Sequence, residues 1–218
     1  MKESSRYRHF CPMAQAMERL GERWGLLIVR DLLPGEQRFT DLLGSCGGIT
    51  PRQLATRLRQ LEHDGIVEAS REPGRRAVWY RLTPAGQALK PVVEAMLLWG
   101  VRHITRPPAP TEPVHTYQLL NGTRLAVVAG RSRPRNPVRW TWRFSDEPYT
   151  LSYDGSEWNL TAGDSEDADV VIETTPRGWA EFVAKRDATS ANRSLTVRGR
   201  PARVREFTAA FPSLARTT

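Results

Sequence analysis

The sequence predicts an α+β protein in two parts, a helical half closed by a hairpin and a strand-rich half closed by helices. Three observations lead there. Residues Ile49 to Leu82 pass from an apolar-striped helix straight into two short strand-like runs. Residues 105–113, TRPPAPTEP, place four prolines in nine positions, the composition of a semi-rigid extended spacer. Beyond them, short β-branched and aromatic runs alternate with turn residues until two late helical patterns close the chain. At 218 residues there is enough chain for two separate cores. The expected organisation is a domain at 1–104, a linker at 105–113 and a domain at 114–218.

In the first domain, Pro12 to Gly21 and Trp24 to Leu33 read as helices, the second strongly apolar. A shorter helix from Arg38 to Leu43 leads through the Gly44 to Gly48 turn region. The next helix has a complete start signal: Thr50 as N-cap, Pro51 at the first position, and Gln53 closing a Thr-x-x-Gln capping box. Leu54, Leu58 and Leu61 then fall at i, i+4 and i+7 and turn one narrow stripe to a core. At about 100° per residue, Arg52, Thr56, Arg59 and His63 point the opposite way. Gln53 and Gln60 flank that side, and Arg57 lies nearer the core edge. Gly65 stops the helix where a left-handed residue is expected.

Ile66 to Arg71 and Ala77 to Leu82 are the strand-like runs, joined by a turn that carries Arg75 and Arg76. Thr83-Pro84 caps a long helix reaching about Ile104, and Pro91 inside it predicts a bend near Gln87 to Pro91. Its apolar residues, Leu89, Val92, Val93, Met96, Leu97 and Trp99, are more than a small domain can bury. With the first helix they predict a homodimer interface.

In the second domain, Val114 to Gly130 is ambiguous between helix and strand. Val138 to Phe144, Tyr149 to Asp154, Glu157 to Ala162 and Asp169 to Thr174 read as strands. Pro176 to Arg186 reads as a helix, Ser194 to Arg198 as a strand, Gly199 as a turn and Pro201 to Phe211 as a last helix. Trp140 and Trp142 share one strand face by period two. Together with Trp158, Trp179, Phe182 and Phe207 they are candidates to line a pocket for a small hydrophobic ligand; the other reading of the same residues is an ordinary core.

Bulk properties narrow the partner. Lys and Arg number 32 against 24 Asp and Glu, a net charge of +8, which favours a polyanion. The basic residues are nearly all arginine, suited to bidentate contact with guanine and phosphate, although a GC-rich genome explains the bias equally well. The stretch Asp146 to Asp187 holds 11 acids against three bases and is a poor surface for nucleic acid. No phosphate-binding glycine loop, no G-x-S-x-G elbow and no metal-ligand spacing around His9, His63, His103 or His115 is present, so neither catalysis nor a metal or cofactor is expected. Asp164, Glu166, Asp167 and Asp169 crowd one loop as a solvated cluster. Cys11 and Cys46, far apart, do not suggest a disulfide framework. The polar start Met1 to Arg6 and the absence of any run of about 18 apolar residues predict a cytoplasmic protein with no membrane partner.

Helix, turn, helix and basic hairpin is the order of a winged helix-turn-helix, for which double-stranded DNA is the expected partner. Arg52, Gln53, Thr56 and Arg59 are placed for base edges or nearby phosphates, with Thr50 and Arg57 beside them. Arg75 and Arg76 suit phosphates or a narrow minor groove, and Arg38 and Thr40 the backbone.

Residues 11 to 100 resemble the HxlR-type winged-helix regulators, relatives of the MarR regulators. The resemblance rests on Cys11-Pro12, Trp24-Gly25-Leu26-Leu27-Ile28, Arg38-Phe39, Gly48-Ile49, the Leu54 to Gly65 helix, Tyr80 to Gly86 and Trp99-Gly100. It implies a homodimeric bacterial transcriptional regulator that answers to a small molecule or to oxidative chemistry. On that footing Cys11, at a helix start, is a redox candidate; its alternative role is a structural helix opener. The second domain resembles the sterol-carrier-type (SCP2-like) domains through Ala168 to Glu173, Trp179, Phe182-Val183 and Leu195 to Gly199. Arg200 departs from that pattern, which often has an acid there. Such domains enclose an apolar cavity.

The expected function is a sequence-specific repressor, dimeric on an inverted-repeat operator, with its effector in the second domain. The alternatives are a redox-responsive regulator acting through Cys11, and a lipid or small-molecule carrier or enzyme with a basic tether.

Overall fold

Leucines and isoleucines at helical spacing draw the first part of the chain around an aliphatic core. The computed structural model describes residues 7–71, 77–104, 106–130, 134–145, 147–185 and 195–211. It divides into two compact units, Met1–Met96 and Leu97–Thr218.

The first unit runs α1 (Pro12–Leu20), α2 (Gly25–Leu32), β1 (Gln37–Arg38), α3 (Phe39–Ser45), α4 (Pro51–His63), β2 (Val67–Arg71), β3 (Val78–Leu82) and α5 (Pro84–Gln87). Ile28, Leu32, Leu42, Leu54, Leu58 and Leu61 meet at its centre, none more than 1% exposed. Each such side chain contributes roughly 1.5–3 kcal/mol by leaving water. The hairpin pairs Val67 with Leu82 and Arg71 with Val78. The short β1 adds on the other side of β3, setting Gln37 against Tyr80 and giving the order β1-β3-β2. The sequence reading begins the third helix at Arg38; β-pairing with Trp79 holds that residue extended, and the helix starts at Phe39.

The single bent helix expected from Thr83 to Ile104 is instead two, α5 and α6 (Lys90–His103). Pro91 has no N–H for the carbonyl of Gln87 and its ring crowds that carbonyl, so the ladder breaks rather than bends. Thr83 caps α5 by accepting from Gly86 N. The division between the units falls inside α6.

In the second unit, Val114 to Gly130 resolves as a helix, α7 (Thr116–Ala129). Gly122 on its buried side lets the carboxyl end of α6 approach closely: a Cβ there would stand 3.1 Å from Leu97 Cδ2. The strands β4 (Val138–Arg143), β5 (Pro148–Tyr153), β6 (Trp158–Ala162), β7 (Val170–Glu173) and β8 (Thr196–Gly199) form one mixed sheet, order β6-β5-β4-β7-β8. Only the β4–β7 pairing is parallel among them, setting Trp140 against Val170 and Trp142 against Ile172. Helices α8 (Pro176–Lys185) and α9 (Pro201–Ala210) join α7 in supplying side chains to one core with Trp140 and Trp142. Period two sends Arg139, Thr141 and Arg143 the other way, where Thr141 and Thr150 hydroxyls meet at 3.0 Å and Arg143 pairs with Asp164 at 2.9 Å.

The proline-rich stretch is not an extended spacer where it is described. Arg106 and Glu112 close it into a loop through contacts of 2.8 and 3.2 Å. The Arg177 guanidinium then donates to the carbonyls of Pro108, Ala109, Pro110 and Glu112 at 2.8–3.3 Å. Prolines lack N–H groups, and their segment's carbonyls find a partner in that planar fork. Among the described residues no helix is long and apolar enough to cross a membrane.

Candidate nucleic-acid interface

Helix α4 is fixed at both ends by local chemistry. Thr50 Oγ1 accepts from Gln53 N at 3.3 Å, and Gln53 Oε1 accepts in return from Thr50 N at 3.0 Å, so the expected capping box is present. At the other end Gly65 adopts φ +69°, and Ile66 N reaches back to Leu61 O at 2.9 Å, the left-handed stop that glycine permits. Between these ends Leu54, Leu58 and Leu61 are buried. Arg52, Thr56, Arg59 and His63 are exposed, as the 100° spacing predicts, and so are Pro51 and Gln53.

Three of the candidates are already engaged. Thr50 Oγ1 also donates to Gln53 Oε1 at 3.0 Å, so the Thr50 hydroxyl and the Gln53 carbonyl both serve the cap. The Gln53 amide N–H₂ is then the part of that side chain suited to donating outward. Arg59 Nε donates to Ala55 O at 3.3 Å, which lays its stem along the helix.

Arg57 differs from its neighbours. It is buried at 6% exposure and ion-paired with Glu22, and burial lowers its pKa. Its guanidinium therefore lies on the floor of a cleft rather than on the outward side of the helix. That cleft, about 440 Å³, opens between the α1–α2 loop, with Arg23 and Trp24, and the Arg52, Gln53 and Thr56 side of α4. Sequence reading missed it, because a helix wheel shows what a helix turns outward and not which loop stands beside it.

Arg38 and Thr40 lie at the start of α3, both exposed. The Arg38 guanidinium stacks over Trp79 at 4.6 Å from the ring centre, and the Arg38 backbone N–H donates to Asp41 Oδ2 at 3.2 Å. Arg75 and Arg76 fall outside the described residues.

The position of α3 and the turn before α4 is held by a residue the sequence reading passed over. Asp31, 1% exposed, accepts from Arg30 Nε at 2.7 Å, Ser45 Oγ at 2.7 Å and Cys46 Sγ at 3.4 Å. The available signal was a lone acid beside Arg30 in a mostly apolar helix. Burial and the Asp31 carboxylate push the Cys46 thiol up to about 12. Cys46 is thus a protonated donor. Cys11, half-buried, is the N-cap of α1 and makes no side-chain cap bond.

In the second unit Trp140, Trp142, Trp158, Trp179, Phe182 and Phe207 all come together, each between 0% and 6% exposed. Trp140 lies 4.6 Å from Trp158 and 5.1 Å from Phe207, and Trp142 lies 5.2 Å from Trp179. Trp179 Nε1 donates to Thr123 Oγ1 at 2.9 Å, while the indole nitrogens of Trp140 and Trp142 are buried without an acceptor among the described residues.

Residues 19–108 match the HxlR-like helix-turn-helix family. YtfH of Escherichia coli (strain K12), an uncharacterised HTH-type transcriptional regulator, is 34% identical over 100 residues, 45% of this chain and 79% of that protein. YybR of Bacillus subtilis (strain 168), described in the same words, is 36% identical over 93 residues, 41% of this chain and 73% of its own. The solved structure of the reduced transcriptional regulator YodB from B. subtilis is 35% identical, covers 44% of this chain and 96% of that one, and has a TM-score of 0.39.

Proposed function

The chain belongs to the HxlR-like helix-turn-helix family of DNA-binding transcriptional regulators, and we propose that it acts as a homodimeric repressor on an inverted-repeat operator. One observation carries the reading: a helix capped at both ends turns Arg52, Thr56 and Arg59 to the outside along its length. Arginine matches guanine and threonine the thymine methyl, so this side reads base edges while Arg38, Thr40, Arg75 and Arg76 hold the backbone.

Dimerisation is supported by apolar side chains that a lone chain leaves in water. On α6 Val92, Met96 and Trp99 are 47–56% exposed, and before and on α1 Phe10 and Met13 are 88% and 68% exposed. Two-fold pairing through them sets two copies of α4 about 34–36 Å apart, one turn of duplex.

The second unit is an SCP2-like domain in this reading, holding a small hydrophobic effector against its aromatic cluster. The acceptorless indole N–H groups of Trp140 and Trp142 favour a ligand with an oxygen to offer. Such a ligand controls DNA binding only if it prefers one state of the protein over the other.

Anisotropy titrations with the flanking intergenic duplex and a scrambled duplex, repeated across salt, test the DNA reading. Preference for the native sequence by about 10³ or more is expected, and equal binding to both overturns it. Native mass spectrometry tests the rest, through a dimer mass and a co-purified apolar molecule.

A second reading, redox control through Cys11, is favoured by the half-buried setting of Cys11 at a helix start. It is abandoned if Cys11→Ser leaves the response of DNA binding to peroxide and quinone unchanged.

A further inference from the structure

We propose that the aromatic core of the second unit seats an uncharged, flat molecule by its carbonyl oxygen, which accepts from the indole N–H groups of Trp140 and Trp142. This deepens, and rests on, the reading that the second unit holds an apolar effector.

Donors without acceptors carry the inference. β4 turns Trp140 and Trp142 inward as residues i and i+2, both 0% exposed, and neither indole nitrogen has an acceptor among the described residues. A buried tryptophan N–H ordinarily finds a partner, and one left unmade forfeits the water it gave up. The fold supplies such a partner elsewhere in the same cluster, where Trp179 donates to Thr123 Oγ1 at 2.9 Å. Phenylalanine at positions 140 and 142 would fill a plain core without that cost. Two open donors therefore mark a demand for an acceptor from outside the chain.

The surroundings choose its kind. Among the described residues, the polar side chains buried in this unit are Thr123, Thr141 and Thr150, with no cation. Thr123 serves Trp179, and Thr141 and Thr150 meet each other on the opposite side of the sheet. A carboxylate would shed its water here without a counter-charge. A hydroxyl can accept from an indole, but its own hydrogen is then orphaned. A hydrocarbon leaves both donors open. A carbonyl oxygen accepts and asks for nothing in return.

The rings set the shape. Trp140, Phe207, Trp142, Trp179 and Phe211 follow one another around a closed circuit, with centroids 5.1, 6.0, 5.2, 5.5 and 6.1 Å apart. Aromatic faces at such spacings favour a flat guest. The two widest steps both lie between a β4 indole and a phenyl from the carboxyl end of α9. The amino end of α9 is tied by Arg203, to Asp169 at 3.2 Å and to the Pro137 carbonyl at 3.2 Å. Swinging α9 outward about that tie parts the indoles from the phenyls and admits a ring between them.

The probe pair is fluorenone and fluorene, one flat frame with and without the carbonyl, measured by equilibrium dialysis on the full-length protein. Fluorenone binds at least about tenfold more tightly than fluorene, roughly 1.4 kcal/mol. Trp142→Phe and Trp140→Phe each shrink that preference several-fold, while fluorene keeps its affinity. Should either variant misfold, the ¹H–¹⁵N spectrum of the unaltered chain still decides. There fluorenone moves two indole N–H signals downfield and fluorene moves neither. Equal binding of the two probes, or a preference untouched in both variants, overturns the carbonyl site but leaves an apolar effector site standing. Displacement of fluorenone by its carboxylated derivative at equal concentration overturns the requirement for an uncharged guest. Binding of neither probe overturns the proposal entirely, and the wider effector reading is then decided separately by the co-purified molecule.

Discussion

The two units close their cores by different means. In the first, short helices converge on branched aliphatic side chains such as Ile28, Leu42 and Leu58, each needing little depth. In the second, Trp140, Trp142, Trp179 and Phe207 stack against one face of a mixed sheet, and ring-on-ring contacts set the spacing. The outer surfaces differ accordingly. A narrow leucine stripe lets α4 carry Arg52, Thr56 and Arg59 along its whole outward side. The sheet unit ties surface arginines to acids, as in Arg143 with Asp164 and Arg203 with Asp169 at 2.9 and 3.2 Å. The comparison teaches that the chain's excess of arginine matters less than its placement: one unit points arginine outward along a helix, and the other spends it holding loops and corners.

The strongest way to break this comparison is to damage the aromatic core and watch the DNA surface. Trp179→Ala should destabilise the protein by about 3–5 kcal/mol, read from the denaturation midpoint. Folded protein should keep its affinity for duplex; a large affinity loss without lost stability would refute the division of labour. Next in size, Arg52→Ala or Arg59→Ala should each weaken operator binding by about 1–3 kcal/mol and blur preference at one or two base pairs. An unchanged competition assay against scrambled duplex would remove that side chain from readout. Arg75→Ala with Arg76→Ala should instead weaken operator and random DNA together and flatten the dependence on salt.

Thr50→Ala sharpens the comparison from within α4, because it removes the cap without touching the outward side. A stability loss of about 1 kcal/mol is expected by thermal melting. The last effect concerns Cys46 and is confined to alkaline pH. Its thiol, ordinarily near 9, is raised to about 12 in the folded chain, first by burial and then by Asp31. The folded state keeps the proton after the unfolded chain has lost it. This contribution is therefore full below about pH 9 and is lost as pH rises toward 12. Melting across that range should show it for the natural chain and not for Cys46→Ala, and native maleimide labelling at pH 8 should spare Cys46.

Much of this was legible in local pattern. The capping box at Thr50, the stop at Gly65 and the shared strand face of Trp140 and Trp142 depend on neighbours within a few residues, so the sequence states them directly. Less local features were harder. Val114 to Gly130 has no clean periodicity because α7 buries residues on several sides, Leu120, Gly122, Thr123 and Leu125 among them. The clamp of Arg177 on the proline-rich loop joins residues 65 or more positions apart. No window of sequence contains both.

Composition and spacing alone determined helices α1 to α4, α8 and α9, the hairpin, the outward set on α4 and the inward pairing of Trp140 with Trp142. Those follow from 3.6 and 2.0 residue periods and from caps, all short-range physics. Tertiary structure decided that Arg57 is a buried ion-pair member, that Asp31 gathers Arg30, Ser45 and Cys46, and that a cleft stands beside Trp24. Burial of a charge depends on which distant segment covers it, and that is settled only when the chain closes on itself.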